Sequence, residues 1–277
     1  MANVATRTRS KSGMLRKRGF GDAEKAPAKD GTLSQTAARA FDILRCFDRD
    51  TPELGITDIS NRLGLPKTIV FRLVQTLRHY DFLEQNAATS RYRIGIGAFE
   101  IGILFKSSTL EAEAAPFMRQ LVDETGHTVQ LAVLHRNEMV IVARMEGRGP
   151  VKYGVSVGER RPTHSTAVGK AVLSLLSDDQ LNELLRQTPL TKRTPHTIID
   201  RKALAADLKL TRTRGYSVNW EENTLGVGSL AAPVSSRHSD TLAALAVAFP
   251  ARPETKKELA KIGKLISNAA KALAARA

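Results

Sequence analysis

Three basic side chains, Lys67, Arg72 and Arg78, fall in a stretch of the chain that contains no acidic residue, residues 66–79. Lysine and arginine neutralise phosphate groups, and the planar guanidinium of arginine can also donate two hydrogen bonds to the edge of one guanine. Acids are instead concentrated before this stretch: Asp42, Asp48, Asp50, Glu53 and Asp58. The local excess of positive charge predicts a surface that binds a polyanion.

The spacing of apolar residues predicts which side of this stretch faces solvent. Pro66 suits the first turn of a helix, and apolar residues then follow a period of 3.6 as far as Leu77, which predicts a helix from Pro66 to about His79. Its polar side carries Lys67, Thr68, Phe71, Arg72, Gln75 and Arg78. A major groove about 12 Å wide admits one helix, whose first residues reach the base edges. We therefore predict base contacts by Lys67, Thr68, Phe71 and Arg72, with Arg72 as the first choice for guanine.

The elements on either side complete a known DNA-binding arrangement. Ser34 is a good N-cap for a first helix with an apolar stripe at Ala37, Ala40, Phe41, Leu44 and Phe47. Thr57 can cap a short second helix that buries Ile59 and Leu63 and ends at Gly64. Residues 83–94 have a turn-rich centre and predict a hairpin. These elements predict a winged helix-turn-helix over residues 32–95.

Two further arginines, Arg91 and Arg93, alternate with Tyr92 in the predicted hairpin. Alternate residues of a strand share one face, so both side chains are predicted to project from the same side of the wing. We predict that they contact the DNA backbone or the minor groove and position the protein rather than read sequence.

The remainder of the chain predicts a second, α+β domain, so the fold class is α+β with two domains. A helical linker is predicted at residues 96–113, with an interruption around Ser107 and Ser108. Beyond it, residues 114–277 predict strands at 129–134, 140–145, 230–234 and 242–249, and helices after Thr166, at 201–214 and at 254–275. Residues 1–31 are rich in Lys and Arg and predict a basic flexible tail.

Composition excludes several classes of protein. The net charge of +14 favours polyanionic partners, although the excess is spread along the chain. The single cysteine, Cys46, excludes an internal disulfide and a cysteine-based zinc cluster, and the six histidines are too dispersed for a local metal signature. We expect no metal and no cofactor. Because no signal peptide or membrane span is apparent, we expect a cytoplasmic protein that is not associated with a membrane.

Motifs spread in order across residues 34–275 resemble those of the IclR family of bacterial transcription regulators. In the first domain they are 38–44 (ARAFDIL), 64–67 (GLPK) with Arg72-Leu73, and 92–95 (YRIG). In the second they are Pro162, 164–171 (HSTAVGKA), 214–216 (RGY), Glu221-Glu222 and 231–234 (AAPV). The resemblance implies a GAF-like effector domain with an antiparallel sheet, and homodimers or tetramers joined through the DNA domain and linker. It also implies operator binding switched by a small metabolite, and it adds Arg39 to the predicted DNA contacts. A bacterial regulator of this kind is expected to be associated with the nucleoid.

The family's effector pocket maps onto positions that depart from its best-known pattern. The mapped residues are Tyr153, Ala167, Val168, Asn219, Val227, Ser229, Ala246 and Ala248. Regulators of this family that sense small acids commonly have serines at the positions of Ala246 and Ala248, an acid at Asn219 and a cysteine at Ser229. Backbone amides at the helix start by Ala167 would still suit a carboxylate. The loss of two hydroxyl donors predicts a larger, less polar effector, such as an aromatic acid, that contacts Tyr153.

Two other functions compete with this interpretation. His164, Ser165 and Lys170 lie close together in the chain and resemble a nucleophile with its base, but no Gly-x-Ser-x-Gly elbow surrounds them, so we expect no enzyme. Alternatively, a metabolite-binding module could use its first domain for protein contacts. The acid-free helix face argues against that module. Repression and activation are not distinguished by the sequence.

Overall fold

The computed structural model describes residues 33–105, 107–148, 155–235 and 241–276. These residues form two compact units that divide between Gly102 and Ile103. The predicted basic tail, residues 1–31, lies outside the described residues. The first unit contains α1 (Gln35–Leu44), α2 (Ile56–Leu63), α3 (Lys67–His79), β1 (Leu83–Gln85), β2 (Tyr92–Ile94) and α4 (Ile96–Gly102).

The first unit is a winged helix-turn-helix, as the sequence predicts. Helices α1 to α3 surround a core in which Ile43, Ile59, Val70 and Val74 are completely buried. Strands β1 and β2 form the antiparallel hairpin of the wing, with Glu84 opposite Arg93. Burial of one apolar side from each helix is the main favourable term that holds these short elements together.

Local signals end and begin the helices much as expected. The Ser34 hydroxyl accepts a hydrogen bond from the backbone N–H of Ala37 at 3.3 Å, which confirms the predicted N-cap of α1. Gly64 ends α2 in the left-handed region at φ 65°, a conformation that glycine adopts without steric cost. Pro66 is the N-cap of α3 rather than its first residue.

Two details of the prediction are wrong. Ala37 and Phe41 are exposed, because the buried side of α1 is centred on Ile43, which lies to one side of the predicted stripe. Phe47, the last residue of that stripe, is buried just beyond the end of α1. Thr57 lies inside α2 and does not cap it. The N-cap is Gly55, whose N–H donates to the carboxylate of Asp58 at 3.0 Å. In a capping box, the carboxylate at the third helical position accepts a hydrogen bond from the N–H of the N-cap residue.

The second unit is an antiparallel sheet with helices on both faces. Its elements in chain order are α5 (Ser107–Thr125), β3 (Thr128–His135), β4 (Glu138–Met145), β5 (Arg160–Pro162), α6 (Ala167–Leu173), α7 (Asp178–Gln187), α8 (Arg201–Arg214), β6 (Ser217–Trp220), β7 (Val227–Ser235), β8 (Leu242–Pro250) and α9 (Pro253–Ala274). The six strands are ordered β5-β4-β3-β8-β7-β6, and every neighbouring pair is antiparallel. The predicted α+β class is confirmed.

Alternation along the strands separates two cores. Val129, Leu131 and Leu245 pack with α5 and α9 on one face. On the other face, Ala132 and Ala244 pack with helix α6. Helices α7 and α8 share a third, smaller cluster around Leu204. On the α6 face, the buried residues that β7 and β8 contribute to this cluster are alanines, whereas β4 contributes Met139 and Ile141.

The structure adds elements that the pattern did not predict. Strands β5 and β6 have three and four residues, and α7 was not predicted as a helix. Strand β7 extends beyond the predicted 230–234, to Val227–Ser235. The predicted linker, residues 96–113, corresponds to α4 and the beginning of α5, and its interruption lies before Ser107 rather than at it. The division of the chain into domains at residues 31, 95 and 113 stays a prediction.

Candidate DNA-binding surface and effector site

Helix α3 presents one polar face to solvent. Val70, Leu73, Val74 and Leu77 are buried and fix its rotation about its axis. On the opposite side the predicted contacts are all exposed: Lys67, Thr68, Phe71 and Arg72. Phe71 keeps 51% of its surface in solvent, so its ring is accessible to a binding partner. The exposure that the periodicity predicts is confirmed, while the role of these four residues in DNA contact stays a prediction.

Charge on this face is available for binding. Among the described residues, neither Lys67 nor Arg72 forms a hydrogen bond or an ion pair through its side chain. Arg78, near the C-terminal end of α3, donates to the Gln85 side chain at 3.1 Å. Arg39, on α1, is half-buried. The basic groups at the N-terminal part of α3 are therefore free to meet phosphate or base edges, whereas Arg78 already contacts the wing.

The wing arginines are exposed but not free, which sequence reasoning missed. Arg91 forms an ion pair with Asp58 of α2 at 2.6 Å. Arg93 pairs with Glu84 on the adjacent strand and lies 4.0 Å from Glu53. Glu84 and Arg93 are directly opposite in the strand register, so this pair could have been found from a correct hairpin alignment. The Asp58 pair joins residues 33 positions apart and required the tertiary structure.

Glu53 anchors the turn of the wing. Its carboxylate accepts hydrogen bonds from the Asn86 side chain at 2.8 Å and the Thr89 hydroxyl at 3.2 Å. The Asn86 hydrogen bond is the main cause that lowers the pKa of Glu53. Beside it, Leu54 and Tyr92 exchange two backbone hydrogen bonds of 2.9 Å, and Tyr92 is buried. The wing is thus fastened to the loop before α2.

The second candidate site lies on the α6 face of the sheet. Register brings the predicted effector residues together there. Asn219 pairs with Ser229, and Ser229 pairs with Ala248 on the next strand. Ala246 follows two residues along the same face, and Ala167 and Val168 of α6 pack in the cluster that includes Ala246. Val227 shares the face of Ser229. Tyr153 lies outside the described residues.

Most of this site is closed to solvent. Ala167, Val168, Asn219, Ala246 and Ala248 are at most 5% exposed. The Asn219 side-chain oxygen accepts a hydrogen bond from the backbone N–H of Glu222 at 2.9 Å, so it already holds the loop that follows β6. The start of α6 is capped by the Thr166 hydroxyl, which accepts from the Gly169 N–H at 3.2 Å. The predicted residues are therefore neighbours, but their contact with an effector stays a prediction.

A buried charge cluster lies beside this site. Lys170 of α6 is 1% exposed, and its Nζ lies 2.5 Å from a Glu222 oxygen and 2.9 Å from an Asp207 oxygen. Burial raises the pKa of Glu222, although Lys170 acts in the opposite direction. The Glu222 backbone carbonyl also accepts from the Thr197 hydroxyl at 2.6 Å. This cluster joins α6, α8 and the β6–β7 connection.

The residues that resemble a catalytic group have other partners. A ring nitrogen of His164 lies 3.0 Å from the Thr191 carbonyl, and the Ser165 hydroxyl donates to the Asn223 side chain at 3.4 Å. Burial lowers the pKa of His164, and the charges of Arg193 and Lys170 lower it further. Lys170 is held between two carboxylates. These contacts assign His164 and Lys170 to holding loops around α6.

The described part of the chain offers neither a metal site nor a membrane-spanning helix. There, no group of three or more His, Cys, Asp or Glu side chains could hold a metal ion. No helix within the described ranges is long and apolar enough to span a membrane. Cys46, the single cysteine, is buried, and burial raises its pKa to about 11.

Comparison with known proteins gives the family of this arrangement. The family described as "Bacterial transcriptional regulator IclR C-terminal" matches residues 104–275, and "IclR helix-turn-helix domain" matches residues 36–87. The chain belongs to the IclR family. It is a transcription regulator with a helix-turn-helix DNA-binding domain and a C-terminal IclR effector domain.

Similar proteins in this family include regulators and repressors. The chain is 34% identical to HTH-type transcriptional regulator XynR of Escherichia coli K12 over 242 residues, which cover 87% of this chain and 96% of XynR. It is 30% identical to HTH-type transcriptional repressor AllR of the same strain over 258 residues, 93% of this chain and 94% of AllR. An IclR homologue of Microbacterium hydrocarbonoxydans complexed with 4-hydroxybenzoate has the same fold. Its TM-score is 0.77 at 23% identity, covering 87% of this chain and 100% of that one.

Proposed function

We propose that this IclR-family regulator reads its operator with Lys67, Thr68, Phe71 and Arg72 at the start of α3. The observation that carries this proposal is the acid-free, exposed face of α3, on which Lys67 and Arg72 keep their charges unpaired within the described residues. Arg72 is the base-reading residue, because its fork can donate two hydrogen bonds to guanine. Arg39, Arg91 and Arg93 contact the sugar-phosphate backbone and set the register.

To bind phosphate, Arg91 and Arg93 must first release the carboxylates of Asp58 and Glu84. Each now pairs with a carboxylate of its own domain, in ion pairs that are about half exposed. Exposed ion pairs contribute only about 0–1 kcal/mol, so a phosphate competes with them at little cost. The wing therefore contributes weak, salt-sensitive contacts, while α3 contributes the specific ones.

The test of base reading compares two duplexes. A specific duplex is selected by the full-length protein from a random library, and a scrambled duplex of equal length is the non-specific partner. Arg72→Ala should weaken the selected duplex by a further factor of about 5 to 100 relative to the scrambled one in fluorescence anisotropy. Arg78→Ala is the control, because it removes the same charge from the far end of α3. Equal losses of Arg72→Ala on both duplexes would refute base reading.

We further propose that the regulator acts as a homodimer or a tetramer. One recognition helix gives modest specificity, and two half-sites about 34 Å apart are the usual remedy. The apolar residues of the first unit support a partner surface, since Phe41, Ile96, Phe99 and Ile101 are each about 60% exposed. Sedimentation of Phe99→Asp against Phe71→Asp tests this. Only Phe99→Asp should give monomers.

We propose that the effector is a weakly polar acid, such as an aromatic acid, bound on the α6 face of the sheet. Its predicted contacts are Tyr153, Ala167, Val168, Asn219, Val227, Ser229, Ala246 and Ala248. Support comes from the alanines of β8, which leave a methyl-lined surface where hydroxyl donors would favour a small polar acid. In calorimetry, 4-hydroxybenzoate should bind more tightly than glyoxylate or pyruvate. Ala248→Phe should abolish that binding, because it fills the surface. Tight glyoxylate binding with no binding of aromatic acids would refute this effector class.

We also propose that the chain is no enzyme and acts in the cytoplasm, where operator DNA is found. The partners of His164, Ser165 and Lys170 described above support the first part, because each group is committed to a structural contact. The acid-free α3 face argues against a metabolite-binding module that does not bind DNA. Salt dependence discriminates between them, since phosphate contacts release counterions and binding should fall steeply with ionic strength.

A further inference from the structure

The side chain of Gln130 contains a buried donor without a partner. Gln130 is 6% exposed, and its Nε2 atom has no hydrogen-bond partner among the described residues. An unpaired buried donor costs about 1–3 kcal/mol, and buried polar groups are normally satisfied by protein, water or a ligand. An uncharged, apolar side chain of this length would have avoided that cost, so the amide requires an explanation.

The position of Gln130 places it at the proposed effector site. Its neighbours Val129 and Leu131 pack on the α5 and α9 face, so alternation turns Gln130 to the α6 face. On β8 its register partner is Ala246, one of the two alanines that replace hydroxyl donors in this chain. Ala248, the other, is paired with Thr128 on the same strand as Gln130.

Positive charge lies on the other side of Gln130. Its register partner on β4 is Arg144, which therefore shares its face. The Arg144 guanidinium donates to Glu146 at 3.0 Å, and only 15% of the Arg144 side chain is exposed. Ala246, Gln130 and Arg144 thus form a row across three adjacent strands, in which a small apolar residue is followed by an amide donor and then by a cation. This order suits a ligand with an apolar body and one anionic end.

Asn219 is less suited to receive that anionic end. Its side-chain oxygen is bonded to the Glu222 backbone, and the two carboxylates of the Lys170 cluster lie beyond this loop. A ligand carboxylate near them would meet like charge in a buried environment, which is strongly unfavourable. At the Gln130 end of the row, the acid that follows Arg144 on β4 is Glu146, and it forms an ion pair with Arg144.

We infer that Gln130 is a specificity residue whose side-chain amide donates a hydrogen bond to the carboxylate of the effector, while Ala246 and Ala248 contact its apolar body. This inference rests on the proposed effector function. It explains how the regulator recognises an acid without the β8 hydroxyls. It also moves the polar anchor from β8 to the adjacent strand β3, so the acid is recognised in a different orientation from one bound by β8 hydroxyls.

The test uses full-length protein and two probes that differ in one group. 4-Hydroxybenzoate carries a carboxylate, whereas 4-methylphenol has the same ring without it. Gln130→Met keeps the side-chain length and removes the donor. Gln120→Met, on an exposed position of α5, is the matched control. In calorimetry, Gln130→Met should bind 4-hydroxybenzoate about tenfold or more weakly than wild type, because a hydrogen bond to a charged group is lost. It should bind 4-methylphenol as wild type does.

A second measurement needs no ligand. If the Gln130 donor is unpaired in the free protein, Gln130→Met removes an unsatisfied buried group and should raise the thermal midpoint. A midpoint lowered by several degrees would show that the amide has a structural partner and would overturn the inference.

The binding outcomes separate the inference from the proposed function. If Gln130→Met binds 4-hydroxybenzoate as tightly as wild type, while Ala248→Phe does not bind it, the effector site stands and the role of Gln130 is overturned. If wild type binds 4-methylphenol but not 4-hydroxybenzoate, an apolar effector stands without a carboxylate anchor. If neither probe binds wild type, both the proposed effector class and the role of Gln130 are overturned. The proposal that α3 reads DNA is unaffected.

Discussion

The two units of this regulator use their charged residues in opposite ways. In the DNA-binding unit, Lys67 and Arg72 are exposed, and the wing arginines form ion pairs that remain about half in solvent. In the effector unit, Lys170 is buried between Glu222 and Asp207. Exposed pairs contribute about 0–1 kcal/mol, whereas breaking a buried pair costs about 3–5 kcal/mol. Charge in the first unit is therefore available to a partner, and charge in the second holds elements together.

The strongest challenge to this comparison is removal of the buried cation. Lys170→Met should lower the free energy of unfolding by about 3–5 kcal/mol, because two carboxylates are left in the interior without their partner. Urea unfolding followed by circular dichroism measures it. Lys271→Met, on the exposed side of α9, is the control and should change stability by less than about 0.5 kcal/mol. Equal midpoints for both variants would contradict the structural role of Lys170.

A second substitution, at Gly169, tests how closely the backbone of α6 packs beside the Lys170 charge cluster. A Cβ at Gly169 would lie 2.1 Å from the Thr163 carbonyl oxygen, so Gly169→Ala forces α6 away from the strand before it. We expect a loss of roughly 1–3 kcal/mol, measured as a lower thermal midpoint. Gly102→Ala, where no atom lies within 4 Å of the added Cβ, should leave the midpoint unchanged or slightly higher. If Gly169→Ala is as stable as wild type, α6 is not as tightly seated as described.

The stability of the second unit should depend on pH through His164, which is buried, and His127, which is half-buried. Burial lowers the pKa of His164 below its ordinary value of 6.5, and the same cause lowers that of His127. The folded state therefore disfavours the protonated ring, so the stabilising contribution present above pH 6.5 is lost as pH falls towards the folded pKa.

His164→Gln should flatten this dependence between pH 7 and pH 5, because the amide can keep a hydrogen bond to the Thr191 carbonyl without titrating. The double variant with His127→Gln should be flatter still. The measurement is the urea midpoint as a function of pH. Parallel curves for wild type and both variants would contradict the assignment.

The smallest effect on stability is expected in the wing. Glu84→Gln frees Arg93 from a half-exposed pair and should change the free energy of unfolding by less than about 1 kcal/mol. The same change should alter DNA binding. The freed Arg93 guanidinium can bind a phosphate, so the slope of DNA affinity against salt concentration should steepen by about one released counterion. Glu183→Gln, which breaks the exposed pair with Arg186 on α7, is the matched control. A gain in DNA affinity by the control as well would indicate a general charge effect.

Local patterns predicted much of the first unit and less of the second. The rotation of α3, the end of α2 at Gly64 and the N-cap at Ser34 all depend on residues within four positions of each other. Phe41 was misplaced because the α1 stripe can be drawn along two adjacent lines, and only packing against α2 and α3 selects the one through Ile43. The short strands β5 and β6 carry too few residues for a periodic signal.

By itself the sequence determined which helix face carries charge without acids, because side-chain direction along a helix follows from the 3.6-residue period. Only the tertiary structure decided which residues the charged and polar side chains contact. Arg91 meets Asp58, Lys170 meets Glu222, and Gln130 stands beside Ala246 with its donor unpaired. These partners are 33, 52 and 116 positions apart in the chain, and no local preference couples residues at such separations. Only the packing of distant elements, driven by apolar burial, brings them together.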